Sequence, residues 1–264
     1  MIKLTATDMD GTLVNSKGIF RDEIFEIIRF LNTKGVIFSA ASGRQLTSLK
    51  RSFKSVDNDM MYIAENGAYV LYKGEELYRD IIDKKVVDDI LRSAEEVENA
   101  SVFLCGKKYS YSNSKKAIEF MSNPTFGYDL KYTEDLRSID EEVLKVSIID
   151  KHDPRENSMK VFVPRFGETM NVVLSGSWCL DILNRGVSKG KALKEVKKHF
   201  GIEKSEVVVF GDNYNDMEMF DEAGLKFAVS NAEEAVKERA DYIIGSNDDN
   251  AVVETLKKII KENF

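Results

Sequence analysis

Cysteine is nearly absent: 264 residues hold two, Cys105 and Cys179, with no CxxC pair. That scarcity argues against a disulfide framework and fits packed thiols in a reducing compartment. Proline is sparse as well, at 3 residues, which leaves little for a long rigid linker. The two histidines, His152 and His199, have no nucleophile paired with them in the sequence and read as a surface and a helix-end residue. The single tryptophan, Trp178, reads as core. No apolar run approaches the roughly 18 residues of a membrane-spanning helix. Residues 1–14 lack the basic start and long apolar stretch of a secretory leader, so a cytoplasmic location is expected. Basic residues are outnumbered, 38 against 45 acidic, and the net charge of −7 argues against a nucleic-acid or anionic-membrane partner. There is no internal repeat and no low-complexity segment.

What remains is the composition of a soluble globular protein, 43% hydrophobic and 31% charged, long enough for one large domain or two smaller ones. The chain opens on KLTATDMDGTLV, Lys3 to Val14. Leu4 and Ala6 alternate with Lys3, Thr5 and Thr7 as in a strand, and Asp8 and Asp10 follow at spacing two before Gly11 and Thr12 turn the chain. Two acids this close repel by about 4 kcal/mol at 4 Å and an effective dielectric near 20. Such a pair calls for a cation or a shared proton, although an isolated D-x-D is usually just a solvated strand end. Ile24, Ile27, Ile28 and Leu31 then mark a helix over 21–34, ended by Gly35. Strands are expected at 36–41 and 60–64, a short helix at 45–53, and a hairpin around Lys73-Gly74.

From residue 83 the rhythm changes. Helices over 84–97, 115–121 and 154–166, the last begun by Pro154, mix with strands at 101–105, 109–112, 143–149, 169–175 and 178–183. This stretch reads as α+β with an antiparallel sheet. After Gly186 strict alternation returns: a helix over 189–200 with Ser188 as N-cap, then strands at 206–210, 226–229 and 242–244, each followed by a helix. The expected architecture is therefore α/β: a doubly wound, Rossmann-like parallel-sheet core of residues 1–82 and 186–264, interrupted by an α+β insert of residues 83–185.

Ligands of open parallel sheets sit beyond the carboxyl ends of the strands. Those ends carry Asp8 and Asp10, Ser42, Glu65-Asn66, and Asp212 to Asp216, and Lys189 opens the helix after the insert. The acids offer hard oxygens suited to Mg²⁺. Lys189, the Ser42 hydroxyl and nearby backbone N–H groups suit a phosphate. Acids, a divalent cation and phosphate donors together describe phosphoryl transfer. The segment from Gly186 to Lys191 faintly echoes a P-loop but is one residue short and ends in Ala192.

Five motifs stand in order: Asp8-Met9-Asp10-Gly11-Thr12-Leu13, Ala41-Ser42-Gly43-Arg44, Glu65-Asn66-Gly67-Ala68, Ser188 to Leu193, and Gly211-Asp212-Asn213-Tyr214-Asn215-Asp216-Met217. On these the chain resembles the haloacid dehalogenase superfamily along its whole length, and within it the Cof-type phosphatases with a large cap inserted mid-chain. It departs mildly at Ser42, where Thr is more usual, and at Asn213, where small residues are common. The resemblance implies that Asp8 is the nucleophile, forming an aspartyl-phosphate, and a Mg²⁺ ligand. It implies that Asp10 is the general acid and base and lends Mg²⁺ its backbone carbonyl. Ser42 and the backbone of Met9 and Gly43 would hold phosphate oxygens, with Asn215 a further phosphate contact. Lys189 would neutralise the phosphoryl group and Asp8. Asp212 would complete the protein ligands of Mg²⁺, with Asn213 and Asp216 supporting it directly or through water. The implied function is Mg²⁺-dependent hydrolysis of a small phosphomonoester, a sugar phosphate or similar metabolite, with the insert setting specificity. A phosphomutase on the same fold and a non-enzymatic phospho-acceptor are the competing readings, and steady release of phosphate separates hydrolysis from both. The sequence carries no signal for oligomeric state.

Overall fold

A computed structural model describes residues 1–123, 127–175 and 178–263. In chain order its strands are β1 (Leu4–Asp8), β2 (Ile37–Ala41), β3 (Met60–Ala64), β4 (Tyr69–Tyr72), β5 (Glu75–Arg79), β6 (Ala100–Cys105), β7 (Ser110–Ser112), β8 (Leu130–Tyr132), β9 (Lys145–Asp150), β10 (Met170–Leu174), β11 (Cys179–Asn184), β12 (Val207–Gly211), β13 (Leu225–Val229) and β14 (Tyr242–Ile244). The helices are α1 (Glu23–Thr33), α2 (Leu46–Ser52), α3 (Lys84–Ala94), α4 (Lys115–Met121), α5 (Ser158–Phe166), α6 (Lys189–Phe200), α7 (Met217–Asp221), α8 (Glu234–Lys237) and α9 (Ala251–Asn263). The chain divides into two compact units: residues 1–42, 52–78 and 188–264, and residues 43–51 and 79–187.

The first unit is built on an eight-stranded sheet in the order β14-β13-β12-β1-β2-β3-β4-β5. Its strands run parallel from β14 to β3, and β4 turns back antiparallel to β3. β1 is buried along its whole length, Thr5 and Thr7 as fully as Leu4 and Ala6. The Leu/Thr alternation thus marks a strand covered on both sides, as in doubly wound sheets. From β1 the connection through α1 leads to β2 on one side, and from β12 the connection through α7 leads to β13 on the other. Right-handed crossovers in opposite directions put their helices on opposite faces. Consistent with this, α1 packs with α9 and α6 with α7. The point of reversal lies between β1 and β12, and the carboxyl ends of the strands at such a point are where open α/β sheets take their ligands. Lys73 and Gly74 both have positive φ (51° and 82°) in the β4–β5 hairpin, the pair of left-handed residues that a type I′ turn requires.

The second unit carries a six-stranded sheet ordered β10-β11-β9-β6-β7-β8, antiparallel except for the β7–β8 pair. One cluster, including Ile90, Leu104, Val146, Ile148, Phe162, Leu180 and Ile182, forms its main core. A smaller one joins Phe103, Cys105, Met121, Ile149 and Cys179, with Trp178 packed against it. Both cysteines are free and buried. α5 begins at Ser158, four residues later than Pro154 suggests, and β8 is a strand that the sequence pattern does not reveal. No helix among the described residues is long and apolar enough to cross a membrane.

Candidate active site

The carboxyl ends of β1 and β12 bring the chemistry together within the first unit. After Asp8 the chain folds into a tight loop in which the N–H groups of Thr12 and Val14 donate to the Met9 carbonyl at 3.3 and 2.8 Å. Met9 is wholly buried and anchors that loop. Gly11 sits at φ +88°, and a Cβ there would lie 2.5 Å from Asp212 Oδ2. Glycine is thus required twice, for its conformation and for the close approach of the second acidic loop. That second loop follows β12. Asn213 Oδ1 accepts the Tyr214 N–H at 2.7 Å and opens a single 3₁₀ turn. Asp216 closes the turn, its Oδ2 accepting the N–H groups of Asp212 and Asn213 at 3.0 and 3.1 Å.

α6 supplies the cation. Ser188 caps it by accepting the Lys191 N–H at 3.1 Å, which places Lys189 in the first turn. The Lys189 ammonium, 1% exposed, donates to Asp8 Oδ1 at 2.5 Å and to Asp216 Oδ1 at 2.7 Å. A buried lysine between two carboxylates is tolerable because each charge is compensated within hydrogen-bond distance. Thr12 Oγ1 donates to Asp212 Oδ1 at 2.6 Å. The backbone of this region is held from β13 onward: Asn231 Nδ2 donates to the Gly11 carbonyl at 2.8 Å, and the Glu233 N–H to the Asp212 carbonyl at 2.9 Å.

The charges do not balance. Carboxylate oxygens of Asp8, Asp212 and Asp216 all lie within 4.8 Å of one another, and Lys189 is the ammonium among them. Burial pushes the Asp8 carboxyl well above the usual range, Lys189 opposing it while Asp216 and Asp212 add to it. Burial and Asp216 raise Asp212 to about 6 against the Thr12 hydrogen bond. For Lys189, burial works against the charge, but Asp216 and Asp8 outweigh it and hold the ammonium protonated more firmly than usual. With all three carboxyls ionised, the group carries two negative charges more than Lys189 can balance, on hard oxygen donors that fit a divalent cation of the Mg²⁺ type. The Gly11 approach, which no larger residue permits, keeps the Asp212 carboxylate in that group.

Asp8, Asp212, Asp216 and Lys189, all expected from the sequence, thus converge. Asp10 is exposed on the loop and outside the three-carboxylate group, in a bridge with Val14. Asn213 is exposed with its side-chain oxygen turned to the backbone of Tyr214. Ser42 is buried just past β2, its N–H donating to the Ile63 carbonyl at 2.8 Å. Gly43 follows it as the first residue of the second unit. Asn215 Nδ2 donates to Asn66 Oδ1 at 3.4 Å. Two contributors escaped the sequence reading. Thr12 was visible only as part of a turn, and Asn231, two residues beyond β13, lies at one more strand end that the same rule would have included.

Comparison with known proteins gives a concordant picture. The sequence profile of the haloacid dehalogenase-like hydrolase family matches residues 5–256. The chain is 29% identical over 263 residues to the 5-amino-6-(5-phospho-D-ribitylamino)uracil phosphatase YbjI of Escherichia coli (strain K12), covering 98% of this chain and 97% of that one. It is 28% identical to the Bacillus subtilis phosphatase YcsE, named for the same compound, with 97% and 95% covered. The crystal structure of a protein from Eubacterium rectale superimposes with a TM-score of 0.89 at 28% identity, covering 98% of this chain and 99% of its own. The chain belongs to the haloacid dehalogenase-like hydrolases and, with the Cof-type phosphatases among them, is a phosphoric monoester hydrolase.

Proposed function

We propose that the protein hydrolyses a small phosphorylated metabolite through an aspartyl-phosphate on Asp8, with Mg²⁺ as cofactor. The observation that carries this reading is the buried Asp8 carboxylate held 2.5 Å from the Lys189 ammonium beside Asp212 and Asp216, at the reversal point of the parallel sheet. A carboxylate oxygen of Asp8 forms the bond to phosphorus as the ester P–O bond breaks. The departing oxygen is an alkoxide and needs a proton, which Asp10 supplies from its exposed loop. Asp10 then takes a proton from water, whose oxygen attacks the phosphorus of the acyl phosphate and frees both inorganic phosphate and Asp8. Ser42, Lys189, Asn215 and the N–H groups of Met9 and Gly43 hold the phosphoryl oxygens, Lys189 neutralising charge that grows in the transition state.

Mg²⁺ would be held by Asp8, Asp212 and the Asp10 carbonyl, and would supply positive charge against the acids and the phosphoryl group. Asp216 and Asn213 support this arrangement. Asp216 does so by fixing Lys189 and the N–H groups of the loop that carries Asp212. The relatives named for a phosphorylated ribityl compound support a sugar phosphate or similar molecule as the substrate class, and residues 83–185 are the segment we assign to selecting its organic half. The test is phosphate release from a panel of phosphorylated metabolites with Mg²⁺. Turnover should fall to background in Asp8→Asn and in excess chelator. Near-normal release by Asp8→Asn, with contamination excluded, would overturn the assignment.

A further inference from the structure

One of the five motifs has no part in the chemistry above. Glu65, Asn66 and Gly67 follow β3 with three consecutive positive φ values, 49°, 55° and 99°. A run of left-handed residues is uncommon, and only Gly and Asn enter that region with ease. Here the turn is buried, Glu65 to 2% and Asn66 to 7% exposure, so its shape is set by packing. Strain held in a buried turn points to a task for that turn.

The contacts of the turn name the task. The Asn66 N–H donates to the Ser42 carbonyl at 3.0 Å. The Asn66 side-chain oxygen faces the Asn215 amide nitrogen at 3.4 Å. Gly67 abuts the backbone between Ser188 and Lys189 so closely that a Cβ would run into the Ser188 carbonyl. Three residues assigned to phosphate, Ser42, Asn215 and Lys189, therefore meet one left-handed turn, each through a different group. All of these residues belong to the first unit.

We propose that Asn66 is a positioning residue that aims the Asn215 amide at the phosphoryl group, its left-handed turn at the same time seating Ser42 and the start of α6. Asparagine suits the position on two counts. Its side chain offers a neutral acceptor to the Asn215 N–H₂ without bringing another negative charge toward a dianion. Its backbone tolerates positive φ better than other residues with a comparable acceptor. Once one N–H of Asn215 is engaged by Asn66, the second is left for an anion, and the amide loses the freedom to rotate away. The hydrogen bond is long, in keeping with an arrangement that tightens when substrate binds.

This inference rests on the proposed phosphate role of Asn215, and a double-mutant cycle isolates it. Asn66→Gly keeps the left-handed backbone and removes the acceptor. Asn215→Ala removes the amide that it positions. The measurements are kcat/KM for p-nitrophenyl phosphate with Mg²⁺, the inhibition constant for inorganic phosphate, and Tm for the two single variants and the double. Each single variant should bind phosphate roughly tenfold more weakly, the loss of one hydrogen bond to a charged group. The double variant should be no weaker than Asn215→Ala, because the two residues act as one. Tm of Asn66→Gly should stay near that of the parent, whereas Asn66→Ala, which strains the backbone, should lower it. Unchanged phosphate inhibition in Asn66→Gly, or losses that multiply in the double variant, would overturn the proposal. Failure of the catalytic reading itself shows separately, as turnover surviving in Asp8→Asn.

Discussion

Each of the two units buries a lysine against aspartate, and the two sites are built to opposite ends. In the second unit Lys145 and Asp181, 5% and 1% exposed, pair at 3.1 Å. Further partners surround the pair. Ser147 and Ser175 donate to the two Asp181 oxygens at 2.5 and 2.6 Å, and Lys145 also donates to the Gly43 carbonyl at 2.9 Å. The ammonium is paired with the carboxylate, and two hydroxyls and the Cys179 thiol also donate to that carboxylate. In the first unit one ammonium, Lys189, stands against three carboxylates. The lesson is that burial of charge does not itself mark a functional site. A neutral, saturated cluster can hold a sheet together, whereas a cluster with a surplus of one sign keeps an unsatisfied demand for a ligand of the other.

The largest effect that would separate the two is expected from removing each lysine. Lys189→Met leaves Asp8 and Asp216 buried without their cation. Turnover should fall by about a hundred- to a thousandfold, since a donor to the transition-state charge is lost, and stability by about 3–5 kcal/mol. Lys145→Met should destabilise by a similar amount, about 3–5 kcal/mol, because the buried Asp181 carboxylate then loses its ammonium. Adding Asp181→Leu to Lys145→Met should return most of that stability, while no substitution at Asp216 should return activity to Lys189→Met. Chemical denaturation and steady-state phosphate release on the four variants decide this. Rescue of activity in a Lys189/Asp216 double variant would erase the distinction.

A smaller effect follows from pH. Asp8 and Asp212 are raised in the folded protein, Asp212 to about 6, above their unfolded values near 4. Between those values the folded state holds more protons than the unfolded one, so their contribution to stability is fully present below about pH 4 and is lost as pH rises through the folded pKa values. Without a divalent cation this cluster opposes folding most at neutral pH. Mg²⁺ should therefore raise Tm more at pH 7.5 than at pH 5, read by thermal unfolding with Mg²⁺ and with chelator. An equal Mg²⁺ shift at both pH values would mean that the surplus charge is not what the ion answers. Lys145 and Asp181, already balanced, provide the internal contrast: the same Mg²⁺-dependent gain should persist in the Lys145→Met, Asp181→Leu protein.

The smallest expected change is at Thr12, whose hydroxyl donates to Asp212 at 2.6 Å. Thr12→Val keeps the shape and removes that bond, at about 1 kcal/mol. It should weaken Mg²⁺ activation several-fold with little change in kcat at saturating Mg²⁺. A Mg²⁺ titration of phosphate release checks it, and an unchanged half-saturation would show Thr12 to be only part of the turn.

Much of this molecule is legible in its residues, and the parts that are not share a cause. Strands such as β2, β3 and β12 announce themselves because burial on both faces favours short apolar runs, β1 does so by alternation, and their ends are punctuated by Asp, Ser, Asn and Gly. α6 is readable from Ser188 before its first turn, and in the structure Gly201 ends it at φ +63°. α5 is different. Pro154 is a legitimate first helical residue, yet residues 154–157 form turns, and the helix starts only where Asp150, buried at the end of β9, accepts the Ser158 N–H at 3.0 Å and the Asn157 side chain at 3.1 Å. The cap is supplied from eight residues away, beyond any local pattern. β8 is three residues long and exists because β7 pairs with it, so its sequence has little to declare.

By itself the sequence determined the alternation of elements, the order of the five motifs and the presence of Asp8, Lys189, Asp212 and Asp216 at strand or helix ends, because these follow from local preferences and from the rule that open parallel sheets carry chemistry at their carboxyl edges. Only the tertiary structure decided how the charges are shared. It is folding that gives Lys189 to both Asp8 and Asp216 across 181 and 27 residues, turns Asp216 into a brace for its own loop, brings Gly11 against Asp212, and leaves Asp10 in solvent. Such pairings join residues that are distant in the chain, and their energies depend on ångström separations and on the exclusion of water. Neither exists until the sheet has brought its strand ends together.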